Sequence, residues 1–393
     1  MNLVFITEAR YTKNRNQSIY YDNSSFAYQL WENYLEVFDN VIVVARVHYD
    51  ANHEERKGYL ASGDRVQFIE LPYFIGLKEY VLNIFKLRKE MQKILSVKDP
   101  VYLCRVPGNI GHTAIKMLTK NRKNYGVEVV GDPWDVFAAG TVDHPLRRWI
   151  RIISYRKLKY DVKHAKASLF VTTKYLQQRY APSPGSYTTA VSDVIINSDD
   201  FFSPEKRQTK KQSEFTVLSV GSLEQMYKSP DVLLKSISEV IRKGYNVTLN
   251  WLGDGLYKSQ MMDLANSLGI KDHVNFLGNV GKDEVAKQMK NASLFALISR
   301  TEGLPRAMVE AMANSLPCIG TKVGGIPELL QSECLVNVND ITATSNLIIK
   351  FITDINFQTK QSEINFSNAK NYERTILGQK RKEFLEQLKS NNS

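Results

Sequence analysis

Residues 299–330 read SRTEGLPRAMVEAMANSLPCIGTKVGGIPELL. They follow an apolar run, Ser293–Ile298 (SLFALI), whose composition suits a buried strand, so the segment starts at a strand's carboxyl end. Glu302 falls in the turn, Gly303 and Leu304 offer backbone N–H groups, and Pro305 suits the first helical turn. The spacing predicts a helix over Pro305–Asn314, whose amino terminus combines unpaired donors with a positive dipole end and so attracts anions. Glu310 lies about one and a half turns further on, where a carboxylate can accept hydrogen bonds from vicinal hydroxyls such as those of a ribose. A short strand, Pro317–Gly320, leads to Gly324-Gly325, where backbone can approach a ligand closely. The bare pair Glu-x7-Glu says little, because 22 Glu in 393 positions produce roughly one such spacing by chance. The ordered string of strand, turn, helix, strand and glycine loop is far more specific.

The pattern extends upstream. Phe215–Val220, Asn246–Leu252 and Val274–Leu277 read as strands, separated by helices at Pro230–Lys243 and Lys258–Leu268, with Asp283–Lys290 following. The first half alternates likewise. Its strands are Asn2–Thr7, Asn40–Arg46, Val66–Ile69, Val101–Cys104, Val127–Val130 and Leu169–Thr173, and a helix over Ser24–Phe38 is capped at Ser24 or Ser25. Ala181–Gly185 and Ser198–Ser213 carry the Pro, Ser and charge of a connector. Such alternation predicts an α/β fold of two Rossmann-like, doubly wound domains, residues 1–200 and 201–365, and a C-terminal helical segment, 366–393, packing back on the first. Ligands of such sheets bind beyond the carboxyl ends of the strands, here the crevice between the domains.

Length and composition agree. At 393 residues with 43% hydrophobic and 24% charged residues, the chain is too long for one ordinary core and too apolar for disorder. No apolar run reaches the roughly 18–20 residues of a membrane span. The start, MNLVFITEARYTKNRN, has its apolar stretch before its charge, the reverse of a secretory signal. Cys104, Cys318 and Cys334 form no paired or metal-binding spacing and are expected as reduced, structural thiols of a cytoplasmic protein.

The net charge of +11 is uneven: residues 1–190 hold 28 Lys and Arg against 18 Asp and Glu, the rest 24 against 23. Two segments concentrate it. Lys78–Val97 sets Val81, Ile84, Phe85, Met91 and Leu95 at helical spacing among Lys86, Arg88, Lys89 and Lys93, and Arg147–Tyr160 mixes Arg and Lys with Trp149, Tyr155 and Tyr160. Such helices either turn the apolar stripe to their own core or lie on anionic lipid headgroups. No nucleic-acid-binding signature accompanies the charge, so a nucleic-acid partner is not expected.

Ser299, Glu302, Gly303, Leu304, Pro305, Glu310, Ala311, Met312, Ala313, Pro317, Gly324, Gly325 and Glu328 together resemble the signature of the retaining, nucleotide-sugar-dependent glycosyltransferases of family 4, which have the GT-B fold. Three upstream segments resemble the same family in order: SVGSLEQMYKSPDVLL with Gly221, Ser222 and Lys228, NWLGDGL with Gly253 and Gly255, and HVNFLGNV with Phe276 and Gly278. The resemblance implies that Glu302 and the amides of residues 303 and 304 meet the donor sugar and diphosphate. It further implies that Glu310 holds the ribose, that Lys228 neutralises the diphosphate, and that residues 276–280 border the base. Departures are equally specific. The family's Arg falls on Ser222, so one phosphate-neutralising charge is either missing or supplied from elsewhere, with Arg306 and Lys322 as the candidates. The glycine pair after the first strand is absent from ITEARYTKNRN, and the family's first-domain His falls on Gly131, beside Asp132. Asp132 joins Glu302 and Lys228 as a candidate catalytic group, and Arg105, Asp132 and Trp134 are candidates on the acceptor side.

The implied chemistry is transfer of a sugar from a UDP- or GDP-sugar to a hydroxyl, with retention at the anomeric carbon. The chain has no Asp-x-Asp, so protein cations and dipoles are expected to replace a metal, and no cofactor is expected beyond the donor. A basic first domain suits an enzyme peripheral to the inner face of the cell membrane, acting on a saccharide or lipid-linked acceptor in bacterial surface-polysaccharide assembly. Two other readings remain: a nucleotide-sugar 2-epimerase of the same fold, and a non-enzymatic carbohydrate-binding or scaffold protein whose donor site has decayed, as Ser222 suggests.

Overall fold

The computed structural model describes residues 1–21, 26–50, 58–138, 141, 144–207 and 215–392. Among the described residues nine strands build the first lobe: β1 Asn2–Lys13, β2 Ile19–Tyr21, β3 Asn40–Tyr49, β4 Tyr59–Leu60, β5 Val66–Leu71, β6 Pro100–Val106, β7 Gly126–Val129, β8 Ala167–Phe170 and β9 Tyr187–Ala190. Six build the second: β10 Phe215–Val220, β11 Val247–Leu252, β12 Val274–Gly278, β13 Leu294–Leu297, β14 Cys318–Thr321 and β15 Leu335–Val336. The second sheet is wholly parallel in the order β12-β11-β10-β13-β14-β15, with its switch point between β10 and β13. The first runs parallel as β5-β3-β1-β6-β7-β8-β9, and β2 and β4 add an antiparallel extension to the far end of β1. Both sheets are covered on two faces, which is why their central strands are continuous apolar runs: Val101 to Cys104 and Leu294 to Leu297 are all buried. The three cysteines are buried, unpaired thiols, and burial raises the Cys334 thiol to about 12, so none is poised as a nucleophile.

Several elements depart from the sequence-based expectation. β1 does not stop at Thr7. It bulges between Ile6 and Arg10, where four steps of β1 oppose two of β3, and continues to Lys13. The first helix is Tyr28–Leu35, and the expected cap residues Ser24 and Ser25 lie outside the described residues. Ala181–Gly185 is a loop inside the first lobe, because β9 follows it. The connector from Ser198 onward is described only to residue 207. The helix Gly76–Met91 and the turn Gln92–Ser96 bury Leu87, Met91 and Ile94, whereas Val81, Leu82 and Phe85 face outward, Phe85 at 80% exposure. The apolar stripe of this segment is therefore split, its end on the core and its middle in solvent.

The chain crosses between lobes twice. The first crossing follows β9, and the second follows a helix on the second lobe, Ile355–Ala369. The last helix, Arg374–Ser390, returns to the first lobe and buries Leu377, Phe384, Leu385 and Leu388. Its Arg381 is buried in a polar cluster, donating to Tyr34 Oη at 2.9 Å, Glu128 at 2.8 Å and Asp193 at 3.3 Å. The two crossings touch each other: Ile196 bridges Glu373, and Arg374 N–H donates to the Ile196 carbonyl at 2.8 Å. Among the described residues no helix is long and apolar enough to cross a membrane.

Candidate active site

The second lobe assembles its site from the carboxyl ends of β10, β11, β12 and β13. Gly253 and Gly255 have φ of +136° and +151°, and a Cβ on them would lie 2.1 Å from the Gly221 carbonyl oxygen and 2.2 Å from the Glu224 nitrogen. The loops after β10 and β11 therefore pack backbone on backbone, which is what the two glycines are for. Gly278 completes this floor, accepting the Gly253 N–H at 2.8 Å. Phe276, two residues earlier on β12, is half-buried beside it. Gly221 leaves room for Lys228, whose Cγ would be 2.9 Å from a Cβ there.

The segment carrying Lys228 is pinned by Arg300, which forks onto Asp231 at 3.1 and 2.9 Å and donates to the Met226 carbonyl at 2.6 Å. Lys228 Nζ then meets Glu302 Oε1 at 2.6 Å, and Ser299 Oγ donates to the same oxygen at 2.5 Å. Two of the three candidate catalytic groups thus form one largely buried ion pair at the end of β13. Beyond it, Pro305 is the residue before the helix Arg306–Ala313. The N–H groups of Gly303 and Leu304 donate to no protein acceptor among the described residues. Glu310 sits on that helix with no hydrogen bond to its carboxylate among the described residues. Burial raises its pKa, with Arg306 and Lys282 opposing.

The lobes meet here. A Cβ on Gly303 would lie 3.0 Å from the Val130 carbonyl oxygen, and one on Gly325 3.1 Å from Thr172. Gly324, at φ +53°, brings its loop against the Glu302 carbonyl, and Gly325 N–H donates to Gly303 O at 2.6 Å. Glu328 then reaches across. Its carboxylate accepts Thr173 N–H at 2.6 Å, Thr173 Oγ1 at 2.5 Å, Lys174 N–H at 3.0 Å and Tyr175 N–H at 2.7 Å. Sequence reasoning gave Glu328 no role. Between the lobes lies a cavity of about 280 Å³, lined among others by Gly131, Asp132, Tyr227, Thr301, Glu302 and Gly303.

The first-lobe candidates divide. Asp132 borders this cavity, but its carboxylate is spent: it caps Trp134 N–H at 2.8 Å, accepts Tyr180 Oη at 2.5 Å and pairs with Arg179. Burial raises its pKa despite these partners. It is the cap before Pro133, and it holds the cavity wall. Trp134 turns away to Arg151, whose guanidinium lies 3.9 Å from the ring centroid, and to Tyr155. Arg105 pairs with Glu128 and Asp193 at the edge of a separate first-lobe cavity. Ser222 stays in its turn, accepting Glu224 N–H at 3.2 Å, while Arg306 and Lys322 are exposed. Among the described residues no group of three or more His, Cys, Asp or Glu is arranged to hold a metal.

Two Rossmann-like lobes, each built on a largely parallel sheet and meeting across this cleft, form the GT-B fold of glycosyltransferases. Residues 201–367 match the family described as glycosyl transferases group 1. The chain is similar to Protein CapJ of Staphylococcus aureus, 27% identical over 382 residues that cover 95% of this chain and 92% of that one. In fold it resembles Anabaena HepE in complex with UDP-glucose, with a TM-score of 0.65 and 15% identity, covering 96% of this chain and 97% of that one. It also resembles WaaG, a glycosyltransferase involved in lipopolysaccharide biosynthesis, with a TM-score of 0.65 and 16% identity over 98% and 99% of the two chains.

Proposed function

We propose that the chain transfers a sugar, with retention, from a UDP- or GDP-sugar to a hydroxyl of a lipid-linked saccharide at an anionic membrane surface. The observation that carries the donor half is the pairing of an open Glu310 carboxylate with free 303 and 304 amides and Lys228 on one side of the cleft. The first suits ribose hydroxyls, the second and third a diphosphate. HepE, which shares the fold, is a complex with UDP-glucose. Lys228 is held by Glu302 before donor arrives, so the incoming diphosphate competes with that carboxylate and leaves it beside the sugar. Protein cations and amides take the charge of the departing diphosphate, with no metal required.

The acceptor half draws on the first lobe's outer surface. The helices Gly76–Met91 and Arg147–Lys163 flank the helix Asn109–Lys120: Tyr80 Oη is 3.3 Å from Thr113 Oγ1, and Lys157 Nζ donates to Asn109 at 3.2 Å. Along these two helices and the turn before the second, Val81, Leu82, Phe85, Leu146, Trp149, Ile152 and Ile153 are exposed among Lys78, Lys86, Arg88, Lys89, Arg148, Arg156 and Lys159. Apolar side chains ringed by cations match an anionic bilayer, with the rings entering the headgroup layer.

The test of the donor half is thermal stabilisation by a panel of nucleotides and nucleotide sugars. The best donor raises the unfolding midpoint of the wild type, and Glu310→Ala and Lys228→Ala each remove most of that rise. If neither does, the site is misassigned.

A further inference from the structure

We infer that the donor sugar is uncharged and carries an acetamido group, and that Val136 of the first lobe selects it; this rests on the transferase reading, which seats that sugar in the interlobe cavity beside Glu302. Among the described residues two carboxylates line this cavity and no Lys, Arg or His does. Asp132 is committed to Trp134, Tyr180 and Arg179, and Glu302 to Lys228 and Ser299. Once a diphosphate draws Lys228 away, Glu302 keeps Ser299 alone and stands beside the sugar as a negative charge. A uronate or other acidic sugar would bring a further anion there with no lining cation to meet it.

The two walls of the cavity are unlike. The second lobe presents open polar groups: the side chains of Gln225 and Thr301 and the hydroxyl of Tyr227 have no hydrogen-bond partner among the described residues. Tyr227 is held from behind, since its carbonyl accepts Arg300 N–H at 2.7 Å and Lys228 Nζ lies 5.1 Å from its ring centroid. The first lobe presents Val136, which ends the helical turn Pro133–Val136 and is 39% exposed. Thr141 adds no free donor to this wall, because its hydroxyl proton is shared between the Val136 and Ala138 carbonyls at 2.5 and 2.7 Å. The same wall does offer an acceptor: the Val130 carbonyl faces Gly303 and takes no hydrogen bond among the described residues. An acetamido group needs an acceptor for its N–H, a donor for its carbonyl and an apolar surface for its methyl. The Val130 carbonyl, the Gln225 amide or Tyr227 hydroxyl, and the Val136 side chain supply one of each. A sugar hydroxyl in that place would use the polar groups and leave Val136 bare. A deoxy-sugar methyl would cover Val136 and leave the Val130 carbonyl unmatched.

The test is calorimetric binding to the full chain of UDP, UDP-glucose, UDP-N-acetylglucosamine, UDP-galactose, UDP-N-acetylgalactosamine and UDP-glucuronate, beside GDP, GDP-mannose and GDP-fucose. In at least one of the two matched pairs, glucose or galactose, the acetamido donor should bind about tenfold tighter than the plain hexose on the same nucleotide. UDP-glucuronate should bind more weakly than UDP-glucose. Val136→Ser, or Val136→Thr should the first fail to fold, should remove most of the acetamido preference. Binding of UDP alone, which has no sugar to reach residue 136, reports that the variant is folded. Equal affinity for acetamido and plain donors, UDP-glucuronate at or above UDP-glucose, a preference untouched by substitution of Val136, or tightest binding of GDP-mannose or GDP-fucose overturns the inference. In each of those results a nucleotide still binds, so the transferase reading stands without it. If no nucleotide or nucleotide sugar binds, the transferase reading falls and takes the sugar assignment with it.

Discussion

At the scale of single residues, the site is a set of carboxylates in different states. Glu302 is paired, Asp132 is buried under three donors, and Glu310 is open. Burial raises both Asp132 and Glu310, but Asp132 is committed to its protein donors, so Glu310 is the one whose titration ligand binding would report. Burial lifts its pKa above the ordinary 4.5, and ribose hydroxyls donate to its charged form. Nucleotide affinity is therefore complete above the raised value and declines as pH falls through it, beginning at a higher pH than an ordinary glutamate would allow. Titrating UDP or GDP against wild type and Glu310→Gln across about pH 5 to 8 isolates the effect, because the protonation of the diphosphate is common to both. The difference between the two proteins should shrink toward acid, and a constant difference would remove Glu310 from the ribose. The Glu302, Gly303 and Glu310 string was readable because turn, helix and strand follow one another without interruption. Val136 was not readable, since an apolar residue in a short helical turn looks like part of a core. The states of Asp132 and Trp134 depend on Tyr180, Arg179 and Arg151, and nothing in their local sequence names those partners.

At the scale of elements, the second lobe follows its apolar periodicity closely, because each central strand is buried on both sides. The elements that escaped are short or lie at edges: β2, between β1 and β4, has only three residues. β4 and β15 have two residues each, and β9 (YTTA) is half-exposed, so burial leaves no apolar period to find. The extended β1 escaped for another reason: its bulge breaks the alternation that marks a strand. The element with the most direct mechanical role is the short turn Ile326–Leu329, whose Glu328 grips the start of the helix Tyr175–Arg179. Charge-assisted bonds of this kind contribute about 1.5–3 kcal/mol each. Glu328→Ala should leave nucleotide binding on the second lobe nearly intact and slow transfer about tenfold or more. Donor hydrolysis should rise relative to transfer, because lobes that do not hold together admit water. The ratio of hydrolysed to transferred sugar is the readout. An unchanged ratio would show that the clasp does not set the reacting arrangement.

At the scale of the whole molecule, charge and exposed apolar surface coincide on the first lobe. The charge was plain from counting, but the direction in which Val81 and Phe85 point was not. A single helix with apolar residues on two sides does not say which side meets its sheet, and here Leu87, Met91 and Ile94 won that place. Vesicles containing anionic lipid should bind the wild type, and neutral vesicles should bind it much less. Burial of one large apolar side chain is worth about 2 kcal/mol, so Phe85→Asp with Trp149→Asp should reduce sedimentation with anionic vesicles more than tenfold. Equal, negligible binding to both vesicle types would detach the membrane from the functional reading. The paired strands of chain at Ile196 and Arg374 carry one last implication. A body hung from two adjacent tethers swings about the line through them and resists twisting or drifting free. Any opening of the cleft is then expected to be a hinge stroke of fixed axis, and cutting the chain near residue 372 to turn that stroke into a loose tumble.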